Sequence, residues 1–186
     1  MERGDSMGAL ILGLLLAIAV FWAVGAHNRL VRLRAEVVRQ WSSVDAVWLR
    51  LVVRMQGGIA ARQSMAGAEG GDDLQALQSA CDELLEALSQ ARLQALDAES
   101  QKQVLVQHQK VVAEIRRMLQ TENDAVKPDL EIALNRMRQT LPAALIPYHV
   151  AAVAYNEALA MRPASWLARR LKLQPAMRMD LSMGAA

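Results

Sequence analysis

Residues Leu30 to Met55 read "LVRLRAEVVRQWSSVDAVWLRLVVRM", and the spacing of apolar side chains in this stretch decides the fold. Leu30, Leu33, Val37, Trp41, Val44, Trp48, Leu51 and Met55 recur at steps of three and four, the stripe of an amphipathic helix. Trp41 and Trp48 share one heptad position, which makes both anchors of a helical core. Asp45 lies on the same helix, and its neighbours three and four residues away are Trp41, Ser42, Trp48 and Leu49. No cation stands at pairing distance on that helix. Either another helix supplies one or the carboxylate is solvated.

Upstream, "GALILGLLLAIAVFWAVGA" from Gly8 to Ala26 carries no charge. Nineteen helical residues come close to spanning the roughly 30 Å core of a bilayer. Ten of them are Leu, Ile, Val or Phe, together favouring insertion by about 3 to 6 kcal/mol. Val24-Gly25-Ala26 resembles a signal-peptidase site, but the charge layout opposes a cleaved signal: Arg3 is offset by Glu2 and Asp5, whereas Arg29, Arg32, Arg34 and Arg39 follow the run against Glu36 alone. By the positive-inside rule, residues 1–7 form a short non-cytoplasmic terminus, 8–26 a retained membrane helix, and the rest stays in the cytoplasm. The expected location is the inner (cytoplasmic) membrane, with the lipid bilayer as the first partner.

No proline or glycine interrupts the chain from His27 to Gln56, so one long helix is expected to leave the bilayer and run to Gly57-Gly58, continuing weakly to Ala66. "AGAEGGDD", Ala66 to Asp73, is the clearest loop, with Asp72 or Asp73 capping a second helix built on Leu74, Leu77, Cys81, Leu84, Leu88, Ala91 and Ala95. "LDAES", Leu96 to Ser100, resets the pattern, with Asp97 or Ser100 as cap. A third helix follows on Val104, Val111, Ile115 and Met118. "TENDAVKPD" turns into a fourth on Leu130, Leu134, Met137 and Leu141, and Pro142 and Pro147 predict a bend or break in it. Residues 27–162 therefore predict an antiparallel bundle of three to four long helices in an all-α chain. Residues 163–186 form a basic amphipathic tail, in which Trp166, Arg169 and Arg170 suit a membrane interface alongside Arg29 and Arg32. The competing reading, of equal weight, is that the tail packs against the bundle.

The chain has 186 residues, is 53% hydrophobic and 22% charged, and carries a formal net charge of +2. That balance is too even for nucleic acid, and the basic residues are not interleaved with exposed aromatics. His27, His108 and His149 are isolated and fit no metal-ligand spacing. No nucleophile elbow, phosphate loop or dinucleotide fingerprint occurs. Cys81, the only cysteine, sits on a heptad stripe and reads as a core residue. No enzyme activity, cofactor or metal is expected. A lone histidine in such a setting reads as structural or solvated, and His108, on the apolar face of its helix, suits a partly buried, hydrogen-bonded residue.

Two segments carry a family resemblance. "HNRLVRLRAEVVRQWSSVDAVWLR" resembles the LemA family signature, with Asn28, Leu30, Val31, Leu33 and Arg34 matching its first part and Trp41, Ser42, Val44 and Asp45 its Trp-Ser-x-Ile-Asp motif. "YHVAAVAYNEALAMRPASWLARRLKLQP" is similar to the family's paired Tyr-Asn motifs seven residues apart, through Tyr148, Tyr155, Asn156, Pro163, Ala168 and Pro175. The chain departs from the family at His149, where the first Asn is expected, and at "LRLVVRMQGG", where paired basic residues and an Asp-Leu-Ile-Pro-Asn stretch are expected. The resemblance implies a single-pass membrane protein with an antiparallel helical domain, no established catalysis, and in some members an association with membrane proteases or envelope functions. The expected function is an interaction or scaffold module at the cytoplasmic face, binding a protein partner, with a sensor or adaptor working by helix movement as the alternative. Heptad-like stripes also allow a homo-oligomer.

Overall fold

The computed structural model describes residues 2–66, 71–120, 127–162 and 164–181. Every regular element among them is a helix: α1 Glu2–Ala66, α2 Gly71–Leu93, α3 Ala98–Gln120, α4 Lys127–Ala160 and α5 Ala164–Arg170.

Helix α1 has 65 residues and is about 100 Å long. Its first part and its second part differ in surroundings. From Leu10 to Val24 the apolar side chains point outward on all sides, Phe21 and Leu10 among the most exposed, and nothing packs against them. This stretch is long and apolar enough to cross a membrane. From Leu30 onward one face becomes core: Val37, Trp41, Val44, Trp48, Val52, Met55 and Ile59 are buried.

The same helix continues through Gly57-Gly58 to Ala66, so the glycines do not stop it. Buried Met55 and Ile59 flank the pair and hold the backbone helical through packing, overriding weak propensity. Helix α4 likewise runs unbroken through Pro142 and Pro147. Each proline removes the donor to the carbonyl four residues earlier, at Arg138 and Ala143. All four residues are exposed, so the freed carbonyls lie on the watery side while Leu141, Leu145 and Tyr148 stay packed.

The order of the helices in space follows from cross-helix contacts. Asp45 meets Arg92 and Gln56 meets Asp82, so α2 runs opposite to α1. Glu83 meets Lys110 and Asp73 meets Arg117, so α3 runs opposite to α2. Trp41 meets Tyr148, whereas Met55 and Ile59 lie with Leu130 and Met137, so α4 also opposes α1. Stripes from α1 to α4 share one core, including Leu77, Cys81, Leu84 and Leu88 of α2 and Val104, Val111 and Ile115 of α3. Of the expected caps, Asp97 caps α3, accepting hydrogen bonds on Oδ2 from the Ser100 amide at 2.8 Å and its hydroxyl at 2.7 Å. Asp72 and Asp73 fall inside the first turn of α2. The turn residues 67–70 and 121–126 lie outside the described residues, as does Pro163.

Candidate functional site

The residues singled out on the first helix and near the end of the chain converge on two neighbouring features. The first is a buried aromatic and polar network. Trp41 packs on Trp48 with ring centroids 6.3 Å apart and on the edge of Tyr148 at 5.9 Å. Trp48 packs edge-on against His108 at 5.7 Å and donates its Nε1–H to His108 Nδ1 at 3.4 Å. That contact makes Nδ1 the acceptor and places the imidazole proton on Nε2. Burial pushes the His108 pKa down to about 4, so the ring is neutral near pH 7. The Trp41 indole N–H, the His108 Nε2 and the Tyr155 hydroxyl have no hydrogen-bond partner among the described residues.

Asp45 has its cation. Arg92 of α2 donates Nε–H to Oδ2 at 2.9 Å and Nη2–H to Oδ1 at 3.1 Å, a two-point fork onto a carboxylate only 9% exposed. The Arg92 pKa rises through that hydrogen bond and the Asp45 charge. Ser42 takes no part: it is exposed and its hydroxyl donates to the Val38 carbonyl of its own helix. Cys81 is fully buried, and burial pushes its thiol up to about 12.

The network reaches the end of the chain. After α5 the backbone turns back and runs along α4 without regular secondary structure. The Asn156 side chain grips Ala176 at both main-chain atoms, donating to its carbonyl at 2.9 Å and accepting from its amide at 2.8 Å. His149 Nε2 meets the Met179 carbonyl at 2.9 Å; a carbonyl only accepts, so Nε2 carries the proton. The Tyr148 hydroxyl lies 2.8 Å from the Met177 carbonyl and 3.2 Å from Gln101 Oε1, two acceptors for its single proton. Ala176 and Met179 are buried against the helices.

The spacing of these clamps has a geometric reason. Seven helical residues, His149 to Asn156, advance about 10 Å, a distance that the three residue steps from Ala176 to Met179 can span. Side chains seven apart on α4 therefore meet carbonyls three apart on the tail. His149 stands where the resemblance expects Asn, and it still binds the tail backbone.

The second feature is a basic collar where α1 leaves its apolar stretch. Because α4 opposes α1, its last turn lies level with Leu30, and Leu30 and Ala158 are both buried there. Helix α5 packs against both, with Ala168 buried and Trp166 82% exposed. It ends in a left-handed turn at Lys172, φ 51°, closed by hydrogen bonds from the Leu173 amide to the Ala168 carbonyl and the Lys172 amide to the Arg169 carbonyl. Arg34 shares a surface hollow with Lys172 and Gln174. Arg29, Arg32, Arg34, Arg162, Arg169, Arg170 and Lys172 thus gather at one level, and none forms an ion pair with an acidic side chain among the described residues. Farther along the helices Arg92, Lys110 and Arg117 are paired across elements. Asn28 lies exposed beside the collar, while Leu30 closes the core beneath it.

Among the described residues, no group of three or more His, Cys, Asp or Glu side chains is placed to hold a metal ion. Sequence reasoning missed Arg92, Gln101 and the tail residues Ala176 and Met179. Arg92 carries no local mark, and the tail is held through its main chain, which side-chain identity does not announce. Comparison with protein-family models, curated proteins and solved structures finds no match for this chain.

Proposed function

We propose that this chain is a LemA-like, single-pass membrane protein whose helical bundle acts as a non-catalytic interaction or scaffold module, resting on the anionic cytoplasmic leaflet of the inner membrane. The observation that carries the reading is the collar. Seven cations without acidic partners among the described residues, and an outward-pointing Trp166 on α5, lie near the level where an uncharged, unpacked helix begins. Basic residues near an anionic surface contribute about 1 kcal/mol each, and tryptophan favours the headgroup layer.

Continuity of α1 supports a retained anchor over a cleaved signal, since the Val24–Ala26 bond region lies inside a helix that also supplies core residues. The arginines after the apolar stretch support residues 1–7 outside and the bundle inside. A protein partner is supported by α4, where Pro142, Ile146, Val150 and Val153 are exposed and no Asp, Glu, Lys or Arg occurs from Gln139 to Asn156. A single rigid α1 also favours the second reading, an adaptor in which movement of the membrane helix is transmitted to the bundle.

The test uses the buried native thiol to advantage. Trp166→Cys labelled with a polarity-sensitive fluorophore, on full-length protein in nanodiscs, should shift to the blue in anionic relative to zwitterionic lipid, and lose the shift when Arg169 and Arg170 are both changed to Gln. Equal emission in the two lipids would remove the collar's role.

A further inference from the structure

Gly57 and Gly58 stand in the interior of α1, where glycine is the weakest helix former after proline. Packing does not require them, because a Cβ at either position meets nothing within 4 Å. What Gly58 leaves is space. It lines a groove of about 230 Å³ between α1 and α4, with Leu51, Met55, Ile59, Leu130 and Met137 as apolar lining. Arg54 and Arg136, one from each helix, border the same groove and are exposed. Neither guanidinium is ion-paired among the described residues, while Asp129, the one acid in the lining, has an interaction of its own. Two cations and one carboxylate leave the lining at +1, from +2 and −1.

We propose that this groove binds a water-borne, medium-chain aliphatic monocarboxylate. The chain lies on the Met55 and Leu130 floor, and the carboxylate is held between the Arg54 and Arg136 guanidinia, whose planar forks match its two oxygens. The volume falls below the roughly 300–1,000 Å³ of sites for larger ligands, which suits one short aliphatic chain. A monoanion balances the lining's formal charge of +1. From Ala26 to Leu51 the helix rises about 38 Å, so a lipid that stays in the bilayer does not reach the groove.

The experiment takes full-length protein in zwitterionic nanodiscs and an octanoate bearing a diazirine on its chain, with labelled residues mapped by mass spectrometry of peptides. Labelling is expected within 51–59 and 130–137, competed by octanoate and not by octanol. Changing Arg54 and Arg136 together to Gln should lower it by about tenfold or more, the scale of lost charge-assisted hydrogen bonds. Gly58→Leu fills the groove with a better helix former, so labelling should vanish while the thermal unfolding temperature does not fall. The proposal is overturned by labelling confined to 10–26, by octanol competing as well as octanoate, or by undiminished labelling of Gly58→Leu. A peptide with a free apolar C-terminus competing more strongly than octanoate also overturns it, in favour of a protein occupant.

Discussion

Asp45 shows what one residue can and cannot reveal in sequence. The apolar stripe puts it on a core-facing helix, and its own helix offers no cation, so a partner from elsewhere was one of two open readings. Arg92 is that partner, 47 residues away. Nothing local marks it, because the register between α1 and α2 is set by the packing of whole stripes. Removing the guanidinium leaves a nearly buried carboxylate without its two donors; Arg92→Leu should therefore lower stability by about 2 kcal/mol in urea unfolding followed by tryptophan fluorescence. Arg92→Lys should recover only part, since an ammonium cannot form the fork. His108 gives a pH signature with a definite sign. Its folded pKa is about 4 against 6.5 for the free side chain, so the unfolded chain binds a proton that the folded chain refuses between those values. The stability it confers is present above pH 6.5 and is lost as pH falls toward 4, about 2 kcal/mol of it between pH 7 and pH 5. His108→Gln should flatten that part of the profile; an unchanged slope would place the titration elsewhere.

At the scale of elements, helix periodicity was legible and helix ends were not. Stripes of period 3.6 located the stretches that became α1 to α4, because each must bury one face. Gly57-Gly58 and the two prolines are local signals of stopping, and tertiary packing on their buried neighbours overrides them. The tail is legible only as a choice between two fates, membrane or bundle; residues 176–179 pack on α4, while Trp166 and its arginines are exposed. The hold on the tail depends on Asn156. In Asn156→Ala the Ala176 amide loses its acceptor, and its hydrogen exchange should speed up by about tenfold or more while amides in the middle of α3 keep their protection. Lys172 takes a left-handed conformation that glycine adopts without strain, so Lys172→Gly should stabilise the fold by about 1 kcal/mol in thermal unfolding. A loss of stability would mean that the lysine side chain makes a larger contribution than the strain it bears.

For the whole molecule, charge and apolar surface are sorted along one axis. Exposed apolar side chains fill the first third of α1, a group of cations without acidic partners among the described residues lies just beyond it, and the cross-helix ion pairs lie farther along. The order along α1 is readable in sequence, since Gly8–Ala26 and the arginines after it are adjacent. The contribution of Arg162, Arg169, Arg170 and Lys172 to the same level is not, because it depends on α4 returning antiparallel and α5 folding against it. The proposed orientation, helical bundle in the cytoplasm and residues 1–7 outside, is the claim on which the leaflet contact and the scaffold role rest. A reporter enzyme active only outside the cytoplasm, fused after Ala186 of the full-length chain, tests it most directly. Silence from that fusion, with full activity from the same reporter placed before Met1, is the predicted result; activity after Ala186 would contradict it.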